Sequence, residues 1–194
     1  MIIDGVVLAG GQSSRMGRDK ALLPWGEDTT LLDNAVAILE PMVRKLHLSG
    51  RHYGDYSPIL DVDPEQGPLG AFYSIYRTLQ ADPSWDALAV LPCDMPLVQS
   101  GWFLEMAKIL ESQLHVDAVF TAREGRFFPL TAVYRRRGLE MMARSYTQGN
   151  RKVLRALQDI NNEVILKNEE QLENVNRPQD YQRLLEMREL SSDA

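Results

Sequence analysis

Short apolar runs alternate along this sequence with longer stretches in which apolar residues recur at every third or fourth position. The short runs are typical of buried strands, and the recurring pattern is typical of helices with one apolar face. The predicted strands cover residues 5–8 (preceded by Ile2 and Ile3), 46–49, 58–61, 87–91, 116–121 and 131–134. The predicted helices cover residues 31–39, 69–79, 102–110, 139–146, 152–157 and 178–190.

This alternation predicts an α/β fold, in the form of a three-layer α/β/α sandwich around a mostly parallel, Rossmann-like sheet. Parallel neighbours need a crossover connection, which is usually a helix, and helices then cover both faces of the sheet. We expect one domain over residues 1–190 and a frayed tail over residues 191–194. In open sheets of this kind, ligands bind beyond the carboxyl ends of the strands, so the chemistry is expected there.

Composition and charge narrow the choice of partners. The 194 residues are 44% hydrophobic and 25% charged, which is ordinary for a globular chain. Lys and Arg number 21 against 27 Asp and Glu, a formal net charge of −6. An acidic surface repels nucleic acid and anionic lipid, so neither is an expected partner. Any anionic ligand must be met by positive charge concentrated in one place.

The single cysteine, Cys93, cannot form an internal disulfide, which fits a reducing compartment. The first residues carry the acid Asp4 where a signal peptide would carry basic residues. No apolar run approaches the roughly 20 residues that span a bilayer. The sequence therefore predicts a cytoplasmic protein without a membrane segment.

The most informative segment is Leu8–Lys20, which directly follows the first predicted strand. Its glycines are Gly10, Gly11 and Gly17. Glycines allow a sharp turn whose backbone N–H groups reach an anion, and Arg15 and Lys20 add the concentrated positive charge. The spacing matches neither a Walker A loop nor the G-x-G-x-x-G dinucleotide fingerprint. An ordinary loop with solvated basic residues is the alternative interpretation.

The run Leu-Ala-Gly-Gly, three residues, Arg-Met-Gly and then Lys20 instead resembles that of nucleotidyltransferases that build activated sugars and cofactors. Three later segments extend the resemblance in order: Asp61 before Gly67-Pro68-Leu69, then Pro92-Cys93-Asp94-Met95-Pro96, then Asn174-Val175-Asn176. Together, and in a chain of this length, they resemble the molybdenum cofactor guanylyltransferase (MobA-type) family over nearly the whole sequence. The domain of residues 1–190 is thus expected to be a nucleotidyltransferase domain.

The resemblance implies transfer of GMP from GTP to molybdopterin, or Mo-molybdopterin, with release of pyrophosphate. It implies that Arg15 and Lys20 hold the triphosphate and that Asp94 binds Mg²⁺, the expected cofactor. These three are the predicted catalytic residues. Mg²⁺ is usually held by one or two carboxylates together with phosphate oxygens and water, so a lone aspartate suffices. A simple strand-end turn is the alternative explanation for Asp94. Cys93 is expected to pack, because no activating base is evident.

The resemblance also implies contacts to the nucleotide and to the pterin. The predicted nucleotide-binding residues are Leu8, Ala9, Gly10, Gly11, Lys20, Ser49, Asp61, Gly67 and Asp94. The predicted pterin-binding residues are Asn174 and Asn176, for which capping of the final helix is the alternative. Candidates for the acceptor phosphate are Arg123, Arg126, Arg151 and Lys152, although solvated surface charge is the commoner explanation.

Two other functions stay open at this point. A molybdopterin cytidylyltransferase or another small nucleotidyltransferase would use the same chemistry on a different base. A module that binds GTP without turnover is the non-enzymatic alternative, which Lys20 and Asp94 disfavour. Proteins that insert molybdenum, or chaperones of molybdoenzymes, are further partners that the resemblance suggests.

Overall fold

A computed structural model describes residues 1–10, 17–54, 56 and 58–192. The strands within these residues are β1 (Ile3–Leu8), β2 (Leu46–Ser49), β3 (Pro58–Ile59), β4 (Ala87–Pro92), β5 (Ala118–Arg123), β6 (Arg126–Arg135) and β7 (Asn162–Leu166). The helices are α1 (Leu31–Leu39), α2 (Gly67–Leu79), α3 (Ser100–Ser112), α4 (Arg136–Thr147), α5 (Val153–Ala156) and α6 (Pro178–Ser192). A 3₁₀ turn, Lys20–Leu22, lies between β1 and α1.

The strands form one seven-stranded sheet in the order β3-β2-β1-β4-β6-β5-β7. β6 pairs antiparallel with both β4 and β5, whereas the other pairs are parallel. The predicted α/β fold with a mostly parallel sheet is confirmed. Because β1, β2, β3 and β4 all run in the same direction, their carboxyl ends lie at one edge of the sheet.

Helices cover both faces of this sheet. One apolar cluster joins β1 and β4 to α1 and α3, around fully buried side chains such as Leu39 and Phe103. A second cluster joins the other face to α2, α4 and α5, around Phe72 and Tyr134. Burying a large apolar side chain contributes roughly 1.5–3 kcal/mol, so these two layers supply most of the driving force for folding.

A third cluster lies outside the two layers and joins distant parts of the chain. Leu23, Trp25 and Leu31 pack there against Val175 and Leu184. The cluster therefore attaches α6 to the segment that follows the glycine loop. The helix α6 continues to Ser192, so it includes two residues of the segment that was expected to be a frayed tail.

Local sequence explains how α1 begins. The Thr30 side chain accepts a hydrogen bond from the backbone N–H of Asp33, and the Asp33 carboxylate accepts one from the backbone N–H of Thr30. This capping box satisfies two N–H groups that the first turn of a helix leaves unpaired. Thr30 is thus the N-cap of α1.

At the edge opposite the carboxyl ends, a buried carboxylate is fully paired. Asp4 is 1% exposed, and Arg44 donates to both of its oxygens, from Nε at 2.8 Å and from Nη2 at 2.7 Å. Such two-point pairing holds a buried charge at a defined position. In the described part of the chain, none of the helices is both long enough and apolar enough to cross a membrane.

Candidate active site

Four of the predicted site positions follow four neighbouring parallel strands. Asp61 follows β3, Ser49 ends β2, Gly10 follows β1 and Asp94 follows β4. Neighbouring strands lie about 4.8 Å apart, so this row extends on the order of 14 Å along the edge of the sheet. That length is comparable with an extended nucleoside triphosphate. The structure thus brings the predicted nucleotide-binding positions to one edge.

The turn after β1 is packed directly against the turn after β2. The backbone N–H of Ala9 donates to the Ser49 carbonyl at 2.8 Å. Gly50 has a φ of +122°, and a Cβ there would lie 2.4 Å from the Gly10 Cα. Only glycine combines this backbone conformation with so close an approach. Gly50 is therefore a site-shaping residue that the sequence analysis missed, although a glycine directly after a strand was the available signal.

Tyr53 connects the turn after β1 to the segment that begins at Asp19. Its hydroxyl lies 3.1 Å from the Ala9 carbonyl and 2.9 Å from Asp19 Oδ2, so its one proton is shared between two acceptors. Burial, and secondly the hydrogen bond to Asp19, raise the pKa of Tyr53 well above its ordinary value. The other oxygen of Asp19 accepts from the backbone N–H of Ala21 at 3.1 Å. Tyr53 and Asp19 therefore fix the start of the Lys20–Leu22 turn, a long-range contact that no sequence pattern indicated.

Lys20 contacts two other predicted site residues, Asp94 and Asn176. Its Nζ lies 3.0 Å from Asp94 Oδ2 and 3.1 Å from Asn176 Oδ1. The side chains of Lys20 and Asp94 are 17% and 21% exposed, so the ion pair is largely shielded from solvent. Electrostatic interactions are stronger there than in bulk water. Residues separated by 156 positions in sequence thus meet around one ammonium group.

Asn176 faces the site and does not cap α6. Asp180 Oδ2 accepts from the backbone N–H groups of Asn176 and Arg177, at 3.0 and 2.8 Å. Between the two asparagines, Val175 is fully buried, and its N–H donates to the Asp94 carbonyl at 2.8 Å. The Asn174–Asn176 segment is therefore docked onto the turn that carries Asp94.

Asp94 is suited to hold a divalent cation. It follows β4 in a turn, and its carboxylate is matched by the Lys20 cation. Among the described residues there is no group of three or more His, Cys, Asp or Glu side chains that would hold a metal alone. A lone carboxylate at this edge of the sheet fits Mg²⁺, which takes most of its remaining ligands from phosphates and water. Its neighbour Cys93 is buried, and this burial raises the pKa of the thiol to about 12. Cys93 is thus a neutral packing residue.

Asp61 carries an unsatisfied acceptor. Its Oδ1 is buried and has no hydrogen-bond partner among the described residues. Burial raises the pKa of Asp61, because the ionised form loses solvation. An unpaired buried acceptor costs about 1–3 kcal/mol, so a ligand that donates to it would recover that free energy.

The remaining predicted site residues lie at the start of α2, in contacts with other side chains, or outside the described residues. Gly67 begins α2 with a φ of +70°, where it shapes the turn after the Asp61 segment. Two of the arginines considered for the acceptor phosphate contact other side chains of the protein. Arg123 pairs with Glu169 at 2.7 Å, and Arg151 donates to Gln66 at 3.0 Å. The predictions for Gly11 and Arg15 lie outside the described residues.

Comparison with solved structures identifies the fold. The protein superimposes on molybdopterin-guanine dinucleotide biosynthesis protein A from Archaeoglobus fulgidus with a TM-score of 0.76 and 21% identity, covering 96% of this chain and 98% of that one. A manganese complex of a Mycobacterium tuberculosis protein gives a TM-score of 0.68 at 19% identity, covering 96% and 99% of the two chains. These likenesses show that the chain shares the α/β fold of those proteins.

The sequence then defines the family. Residues 5–160 match the MobA-like NTP transferase domain, and the chain belongs to that family. It is 40% identical, over 116 residues, to a molybdenum cofactor guanylyltransferase of Xanthomonas euvesicatoria, which is 60% of this chain and 58% of that protein. It is 29% identical over 195 residues to a probable molybdenum cofactor guanylyltransferase of Carboxydothermus hydrogenoformans, over 93% and 94% of the two lengths. The family suggested by the motifs is confirmed.

Proposed function

We propose that this protein transfers GMP from GTP to the terminal phosphate of molybdopterin, or Mo-molybdopterin, and releases pyrophosphate. The observation that carries the proposal is the meeting of Lys20, Asp94 and Asn176 within 3.1 Å contacts at the edge where the glycine turn lies. The cation, the acid and the amide come from three segments to which the family resemblance assigns the triphosphate, the metal and the pterin. The names of the Xanthomonas and Carboxydothermus relatives support the same activity.

The reaction is an in-line substitution at the α-phosphorus of GTP. An oxygen of the acceptor phosphate forms the new P–O bond while the bond from the α-phosphorus to the β-phosphate bridging oxygen breaks, and pyrophosphate leaves with that electron pair. The acceptor phosphate is already ionised near neutral pH, so no side chain has to remove a proton. Positioning and charge neutralisation then supply the catalysis.

Each of the assigned side chains contributes to that positioning. Lys20, with Arg15, holds the triphosphate and the departing pyrophosphate, and the N–H groups of the glycine turn cradle the phosphates. Asp94 holds Mg²⁺, which neutralises phosphate charge when bound. Lys20 is the counter-ion of Asp94, 3.0 Å away. The two groups are thus kept at the same place before the reaction.

The guanine base is recognised at the β3 end of the row of site positions, where Asp61 lies. Guanine presents two N–H donors side by side, N1–H and the 2-amino group, and a carboxylate accepts from both. Asp61 has the unpaired buried Oδ1 for this purpose. The Leu8–Gly10 backbone and Ser49 complete the base contacts in this proposal. Cytosine has no such pair of donors on one edge, so the chemistry of Asp61 favours guanine.

The acceptor binds on the side of Asn174 and Asn176, beyond β4. The Asn176 amide oxygen already touches the cation that faces the triphosphate, so a pterin phosphate held by this segment lies beside the α-phosphate. A cytoplasmic location completes the proposal and rests on the single, unpaired cysteine. Molybdenum-insertion proteins and molybdoenzyme chaperones stay predicted partners.

One incubation tests the proposal. The purified protein is mixed with molybdopterin, Mg²⁺ and either GTP, CTP or ATP, and the products are analysed by mass spectrometry. We expect a guanine dinucleotide and one pyrophosphate per product, and little product from CTP or ATP. A preference for CTP would assign a cytidylyltransferase, and binding of GTP without any product would assign the non-catalytic module.

A further inference from the structure

The segment between β3 and α2 is held by hydrogen bonds to the helices α2 and α4. We call residues 61–66, which begin with Asp61, the base loop. The N–H of Val62 donates to Ser74 Oγ at 2.9 Å, and Ser74 Oγ donates to the Gly70 carbonyl at 2.9 Å. The helix α2 thus fixes the residue that directly follows Asp61.

A second attachment comes from α4, which belongs to a distant part of the sequence. The Tyr146 hydroxyl donates to Asp63 Oδ2 at 2.8 Å across 83 residues. The Tyr146 side chain is buried beside α2 and stacks on Tyr73, with ring centroids 4.9 Å apart. Burial, and then the hydrogen bond to Asp63, raise the pKa of Tyr146, so the phenol keeps its proton and remains a donor.

Arg151 extends this attachment to the far end of the base loop. Its guanidinium lies 4.2 Å from the centroid of the Tyr146 ring, and its Nη1 donates to the Tyr146 carbonyl at 3.0 Å. Its Nε donates to Gln66 Oε1 at 3.0 Å. One arginine–tyrosine unit therefore holds the base loop at two points, Asp63 and Gln66.

These contacts matter because Asp61 itself has little to orient it. Its Oδ1 has no partner among the described residues, so the loop backbone sets the direction in which the carboxylate points. A group that recognises a base edge has to be held within about 0.5 Å of its productive position. Resting on the proposed function, we propose that Tyr146 and Arg151 are positioning residues for guanine recognition, acting through the base loop on Asp61.

The decisive variant is Tyr146→Phe, which removes the hydrogen bond to Asp63 and keeps the ring, its stacking and the arginine contact. Its matched control is Tyr73→Phe, the same chemical change in the ring stacked beside it, where the hydroxyl accepts from Arg77 at 3.0 Å. The dissociation constants of GTP and ITP, both with Mg²⁺, are measured by calorimetry. ITP retains N1–H and lacks the 2-amino group, so the ratio of the two constants reports the contact to Asp61.

We expect Tyr146→Phe to weaken GTP binding about five- to tenfold and to reduce the preference for GTP over ITP by a similar factor. Its turnover number at saturating GTP should stay within about twofold of the unchanged protein. Tyr73→Phe should leave both constants unchanged. A merely structural role predicts the opposite: a lower melting temperature with an unchanged GTP-to-ITP ratio would overturn the proposal.

A second pair of variants protects the test against a folding defect. Asp63→Asn keeps an acceptor for the Tyr146 hydroxyl and should retain the preference for GTP, whereas Asp63→Ala should lose it as Tyr146→Phe does. Asp63 is exposed, so both substitutions should fold. Equal behaviour of the two would overturn the role of the hydrogen bond. If the unchanged protein itself does not prefer GTP to ITP, the guanine assignment of the proposed function fails instead.

Discussion

Asp61 places a carboxylate where its burial costs stability. The oxygen Oδ1 is buried without a partner among the described residues, and burial raises the pKa of the group. The native state therefore holds the proton more tightly than the unfolded chain does. Linkage then requires stability to fall as the pH rises from the ordinary aspartate value of 3.8 through the raised pKa of Asp61. Such a cost at one residue is typical of a binding group that waits for its ligand.

The corresponding variant is Asp61→Asn, which keeps the shape and removes the charge. At pH 7 we expect its melting temperature to be about 2–4 °C higher and its affinity for GTP to be at least tenfold lower. The gain in melting temperature should shrink as the pH falls through the pKa of Asp61, because the carboxyl of the unchanged protein is then protonated. Thermal scans from pH 4 to 8 check this. Asp159→Asn, at an exposed position on the opposite edge, is the control; an equal gain there would contradict the interpretation.

Asp94 is expected to matter for turnover rather than for folding. In Asp94→Ala, Lys20 can retain the contact to Asn176 Oδ1 at 3.1 Å, so the arrangement of these two residues should persist. GMP transfer at saturating GTP and Mg²⁺ should fall by at least a hundredfold, because the proposed metal ligand is lost. The melting temperature should change by no more than about 3 °C. Unchanged turnover would remove Asp94 from the mechanism.

At the scale of elements, the site depends on two turns that touch through their backbones. The turn after β1 and the turn after β2 meet at Gly10 and Gly50, where a Cβ on Gly50 would lie 2.5 Å from the Gly10 nitrogen. The turn after β1, which is proposed to bind the phosphates, is thereby held in place by the turn after the neighbouring strand β2. Two elements together define one binding surface.

Gly50→Ala should break this arrangement. The substitution combines a φ of +122° with a backbone overlap, and we expect it to lower the free energy of unfolding by about 2–4 kcal/mol and GTP affinity by at least tenfold. The control is Gly101→Ala, at the start of α3, where a Cβ meets nothing within 4 Å. That variant should be neutral or slightly more stable, because alanine favours a helix. Similar losses in both variants would show that the Gly10–Gly50 contact is not special.

The strands also show which parts of the fold could be predicted from the sequence and which could not. The strands β1 and β4 are continuous apolar runs, so their positions and the residues after them could be predicted. The sequence analysis did not predict β7, because this edge strand carries a run of only three apolar residues and buries only Ile165 among its five. β6 extends further than predicted because Arg126–Phe127 are exposed. Tyr53 and Tyr146 could not be found, since their roles arise from contacts across 44 and 83 residues that only the fold creates.

At the scale of the whole molecule, the third apolar cluster joins the C-terminal helix to both sides of the active site. Leu184 of α6 is fully buried against Leu23 and Val175. Leu23 directly follows the turn that carries Lys20, and Val175 directly precedes Asn176. Stability and the geometry of the site are therefore coupled through one hydrophobic cluster.

Leu184→Ala tests this coupling. A cavity at a fully buried leucine costs about 2–5 kcal/mol, so the midpoint of denaturant unfolding should fall clearly. The KM for GTP should also rise several-fold, because the segments that carry Lys20 and Asn176 both pack against Leu184 through Leu23 and Val175. Leu114→Ala, at a leucine that is 73% exposed, should change neither quantity. A large loss of stability with an unchanged KM would separate the cluster from the site.

The central claim is that a triphosphate and its metal bind where Lys20 meets Asp94. The most direct measurement is a crystal structure of the protein with GTP and Mg²⁺. We predict a metal ion on the Asp94 carboxylate, phosphate oxygens on Lys20 Nζ, and the guanine edge against Asp61 Oδ1. A nucleotide bound at another edge of the sheet, with the 3.0 Å ion pair between Lys20 and Asp94 undisturbed, would contradict the account.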